Sequence, residues 1–188
     1  MNSDGLWASL TERTRLRAFG LASLLAFGLS YWVGITGEVL RTNVSLFGIV
    51  SFELAGTSAV AQQIMAAWGD TGQQAARFNI RIDFLYLLGY GVALSLGCAV
   101  ARRWWQLRSA PLARIGALLT YAMLVAACSD VCENVAMLQM LDNPANAIWP
   151  TLARIFAIVK FALLAVGLFY IMTGAFIRIG QRRVVRAS

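Results

Sequence analysis

Along this chain the apolar residues gather into long blocks instead of recurring at every third and fourth position. Four blocks stand out, at Ala18 to Thr36, Phe84 to Ala101, Ile115 to about Ser129, and about Ile155 to Ile177. As helices they match a hydrocarbon layer ~30 Å thick, the third only if it continues into the polar stretch behind it. The pattern predicts an all-α integral membrane protein, a four-transmembrane-helix bundle forming a single membrane domain over residues 1–188. The spans are expected at about 18–36, 83–101, 115–134 and 151–177, with segments 37–82, 102–114 and 135–150 between them and a tail at 178–188. Arginines ahead of the first block also fit a secretory leader. Tyr31 and Trp32, however, stand where cleavage requires small residues, so the block is read as a retained span.

Segment 37–82 has a pattern of its own. In "SFELAGTSAVAQQIMAAWGD", helical spacing puts Leu54, Ala61, Ile64, Met65 and Trp68 on one side and Gln62 and Gln63 on the other. This predicts an additional extracytoplasmic amphipathic helix over about 51–68. Glu53, Gln62 and Gln63 would be too costly in lipid for a fifth span. Gly69 and Gly72 predict a break, Thr71 a helix cap, and a restart near Gln73. Pro150 falls in the first turn of the fourth helix, where its missing N–H costs nothing. Gly91 and Ser95, four apart, allow the second span to approach a neighbour closely.

Composition agrees with the pattern: 59% of residues are hydrophobic, 13% charged, and the mean hydropathy is +0.66. Charge adds orientation. The arginines at 13, 15 and 17, at 102, 103, 108 and 114, and at 178, 182, 183 and 186 supply eleven of sixteen cations, in segments holding only the acids Asp4 and Glu12. By the positive-inside rule both termini are cytoplasmic, which suggests a bacterial inner membrane. A pI near 10.0 does not imply nucleic acid, because basic residues beside spans already act at an anionic leaflet. Tyr31, Trp32, Trp104, Trp105 and Trp149 fall where interfacial aromatics belong.

Polar residues inside the blocks raise the question of chemistry. Measured from the nearest inner arginine at ~1.5 Å per residue, Asp83, Asp130, Glu133 and Lys160 all reach roughly 24 to 28 Å. They therefore share one level. Asp130, Glu133 and Asn134 occupy one helix face, Lys160 is the only lysine, and Glu53 can join from the capping helix. Charges at such depth pair with one another, and a surplus of acid over base attracts a cation or a proton unless Arg77, Arg81 or Arg154 reaches in.

The chain has no histidine, which removes Ser-His-Asp and Cys-His catalysis, histidine-ligated haem and the common zinc hydrolase sites. Cys128 and Cys132 are spaced CxxxC, which aims the sulfurs poorly for a disulfide, and with Cys98 they are read as packing residues. No cofactor or metal motif is present. Three functions remain. The leading expectation is an outward-facing acidic pocket built from Asp83, Asp130, Glu133, Asn134, Lys160 and Glu53, which binds or transports a cation, or an amphipathic ligand or lipid. The alternatives are an accessory subunit of a larger membrane complex, with partner membrane subunits, and a lipid-modifying enzyme using carboxylate acid–base chemistry.

Overall fold

The structure is a computed structural model that describes residues 6, 7, 9–106 and 108–187, with side chains up to 180. Asp4, Arg182, Arg183 and Arg186, which enter the charge argument, lie outside the described side chains. The described chain is all-helical and contains no strand. Helix α1 is Glu12–Thr36, capped by Thr11, whose hydroxyl accepts from the Thr14 N–H at 3.2 Å. A 3-10 turn at Glu38–Leu40 leads to the short α2, Ile49–Glu53, and then to α3, Ser58–Gln106. Helices α4, Ala110–Asp142, and α5, Ile148–Ala187, complete the order. Ser109 caps α4, accepting from the Leu112 N–H at 3.5 Å, and Pro111 fits in its first turn.

Four helices, α1, α3, α4 and α5, are long and apolar enough to cross a membrane. Short links on either side of α4 make α3, α4 and α5 antiparallel neighbours. Helix α3 is the hub and packs on α1, α4 and α5. Of its most apolar stretch 67% is buried, against 6% for α1, which leans on the outside of α3. Small residues set the α3–α4 approach: a Cβ on Gly91 would stand 2.9 Å from the Cβ of Ala127, and Ser95 Oγ donates to the Thr120 carbonyl at 2.8 Å. Near the arginine-rich end, Trp105 stacks on Tyr170 at 6.0 Å, and the Tyr170 hydroxyl donates to the Leu112 carbonyl.

The opposite end is closed by a cap. Leu40, Phe52 and Trp68 form one buried cluster with Met137, Met140 and Leu141 of α4 and Ala153 of α5. Trp68 Nε1 donates to the Leu40 carbonyl at 2.8 Å and to Ser45 Oγ at 3.0 Å, so the polar edge of the indole is satisfied inside the cluster. Residues 58–68 lie across the ends of α4 and α5, and Gln62 Nε2 donates to the Pro144 carbonyl at 2.8 Å.

The cap differs from the single helix expected over 51–68. The chain is non-helical from Leu54 to Thr57, because Gly56 has φ +71 and packs against α5. Thr151 Oγ1 donates to the Gly56 carbonyl at 3.3 Å, and the Arg154 side chain occupies the space a Cβ would need. Ala61, Ile64, Met65 and Trp68 are buried as the helical spacing implies, but Leu54 falls in the break and is exposed. Farther along, only Gly69 leaves helical geometry, with φ 59 and ψ −170. Thr71 and Gly72 are already inside the resumed helix, and a Cβ on Gly72 would meet Trp68. Helix α4 likewise continues past 134 to Asp142.

Candidate functional site: a polar layer around Lys160

Lys160 lies on the face of α5 that also carries the buried Ala153 and Ala157. These alanines let α5 come close to its neighbours, and the lysine on the same face then has to point into the bundle. Its ammonium donates to Glu133 Oε1 at 2.8 Å and to Asp130 Oδ1 at 3.0 Å, and Glu53 Oε2 lies at 3.6 Å. Helical spacing gives α4 one face bearing Asp130, Glu133 and Asn134, all nearly inaccessible to solvent. Glu53 comes from the last residue of α2, and the break after it turns the carboxyl into the bundle. The ammonium also stands 4.7 Å from the centre of the Phe161 ring.

A second polar group adjoins the first. Asn134 Nδ2 donates to Asp83 Oδ2 at 2.7 Å, joining α4 to α3. Tyr90, two turns after Asp83, donates its hydroxyl to Asp130 Oδ2 at 2.7 Å. Asn79, one turn before Asp83, accepts from Thr36 Oγ1 of α1 at 3.1 Å and donates to the Ala75 carbonyl. All six residues expected from the sequence therefore meet: Glu53, Asp130, Glu133 and Lys160 in one ion cluster, Asp83 and Asn134 beside it. Tyr90 and Asn79 were not anticipated, although both share a helix face with Asp83 and spacing alone could have found them.

The layer is not balanced internally. Three carboxyls, of Glu53, Asp130 and Glu133, share one ammonium while Asp83 lies beside them; among the described residues the buried Oε2 of Glu133 has no hydrogen-bond partner, and that of Glu53 has only its 3.6 Å ion contact with Lys160. None of the three nearby arginines supplies the missing charge. Arg77 turns to Asp142 at 2.5 Å and to the Leu141 carbonyl, while Arg81 and Arg154 are exposed and make no ion pair among the described residues. Glu53, Asp83, Asn79 and Asn134 line a cavity of about 20 Å³ together with Val33 of α1 and Ile49, Ile80 and Met137. That is room for one water-sized occupant.

Among the described residues no group of three or more His, Cys, Asp or Glu side chains is arranged to hold a metal ion. The cysteines are free, Cys98 buried and Cys128 and Cys132 on an exposed face of α4. A separate groove of about 330 Å³ runs between α1, α3 and α5, lined by Phe27, Ser30, Tyr86, Tyr90, Leu164 and Leu168 among others. Comparison with known proteins gives no relative: no family model, no curated protein and no solved structure matches the chain.

Proposed function

We propose that the chain is an integral membrane protein with four crossings, its termini in the cytoplasm, and that its polar layer binds a small monovalent cation from the opposite side. The observation that carries this reading is the surplus of carboxylate over ammonium around Lys160, with Glu53 and Asp83 lining a water-sized cavity. Buried charge without compensation is among the most expensive things a fold can contain, so a layer short of positive charge attracts it. The polar lining, from Glu53, Asp83, Asn79 and Asn134, carries carboxylate and amide oxygens, which suit a hard cation. Its size favours a bare alkali ion or ammonium over magnesium, which keeps its waters, and over calcium, which takes about 6–8 oxygens.

The test is a melting titration of purified protein at fixed pH and ionic strength, exchanging choline for sodium, potassium or ammonium. A ligand at about 100 times its Kd, bound only by the folded state, adds ~2.7 kcal/mol. The expected result is a saturable rise in melting temperature with at least one small cation that is lost in Asp83→Asn and Glu53→Gln. Curves that coincide for all cations would contradict the proposal and leave protons as the balancing charge.

The groove favours a second reading, an amphipathic ligand. Tyr90 lines the groove and hydrogen-bonds Asp130, so an apolar chain lying there has its polar end within reach of the layer. A long-chain alkylammonium that binds far more tightly than ammonium, with the difference lost on filling the groove by Ala93→Phe at one of its lining residues, would support this version.

A further inference from the structure

The second charged feature lies at the arginine-rich end, where α1, α3 and α5 enclose a cavity of about 400 Å³. Three guanidinium groups line it, from Arg15, Arg103 and Arg178, against one carboxylate, Glu12. Arg103 is engaged with Glu12 at 2.6 Å. Arg178 makes no ion pair among the described residues. Arg15 is only 7% exposed; one terminal nitrogen donates to the Leu10 carbonyl at 2.8 Å, and its buried Nε has no hydrogen-bond partner among the described residues. A buried guanidinium with an idle donor lacks an acceptor, and the planar fork of arginine suits a phosphate oxygen pair. The remaining wall is apolar, with Leu16, Ile179 and the ring of Trp104.

We propose that this cavity binds the phosphate of an anionic lipid head group, with Arg15 and Arg178 as its ligands and the apolar wall against the glycerol and upper acyl chain. The charge is complementary, and the site opens at the end where the arginine pattern places the anionic leaflet. The inference rests on membrane insertion but not on the cation site. The two are separable because one responds to small cations and the other to phosphate.

Delipidated protein in a neutral detergent is titrated with phosphatidylglycerol, phosphatidylcholine or inorganic phosphate, read by melting temperature and by retained adducts in native mass spectrometry. The expected result is a saturable stabilisation by phosphatidylglycerol, with one lipid retained and little response to phosphatidylcholine. Arg178→Gln, which breaks no ion pair among the described residues, should weaken that response by about tenfold, as loss of one charge-assisted hydrogen bond implies. Arg15→Gln should do so at least as strongly; if it fails to fold, Arg178→Gln decides. An equal shift with millimolar inorganic phosphate would assign the site to a soluble anion and overturn the lipid. Equal responses to both lipids, or an Arg178→Gln curve superimposed on the wild type, would overturn the site itself.

Discussion

Lys160 is held most closely by Glu133 and Asp130, at 2.8 and 3.0 Å, and less directly by Glu53 at 3.6 Å. Removing one member of such a buried group strands the others, so Lys160→Met should destabilise by about 3–5 kcal/mol. Combining it with Glu133→Gln should recover much of that loss, and the coupling should be larger for Glu133 than for Glu53. Thermal melts of singles and doubles supply the cycle; coupling below about 0.5 kcal/mol for every acid, the level of independent sites, would contradict the pairing. Tyr90→Phe removes the hydroxyl that satisfies Asp130 Oδ2 and should cost ~1–3 kcal/mol in the same assay. At this scale the site was legible because a helix converts residue number into height: counting from the arginines put Asp83, Asp130, Glu133 and Lys160 at one level. The pairing of Asn134 with Asp83, rather than with Lys160, depends on how α3 and α4 are rotated and was not readable from heights alone.

Among the elements, α3 and α4 are joined by small side chains, and the cap is joined to them by Trp68. Gly91→Ala would put a methyl 2.9 Å from the Cβ of Ala127, which is fixed to its backbone, and overpacking of this kind costs about 1–3 kcal/mol. Trp68→Phe keeps much of the apolar contact with Phe52 but loses the indole N–H that serves Leu40 and Ser45. It should lower the melting temperature and increase amide exchange in 37–57 ahead of the rest of the chain, because only the cap depends on that donor. Exchange rising uniformly instead would show that the cap has no separate stability. The long apolar helices were legible from block length. The split of 51–68 was not, because Gly56 within a continuous helical pattern reads as tolerable, and only the close approach of Arg154 and Thr151 of α5 makes it a break.

For the whole molecule, the arginine distribution assigns sides that the fold itself does not, and it predicts that Asp142 and Arg186 face opposite compartments. On a background lacking Cys98, Cys128 and Cys132, a cysteine at 142 should react with an impermeant maleimide from outside and one at 186 should not; the reverse pattern would overturn the topology. The central claim is that the unbalanced layer around Lys160 holds a cation, and anomalous diffraction locates one most directly. Crystals grown with thallium(I) in place of other monovalent cations should show an anomalous peak in the cavity bounded by Glu53, Asp83 and Asn134, absent in Asp83→Asn crystals of equal quality. A cavity without a peak, at a resolution that shows the side chains around it, would contradict the account.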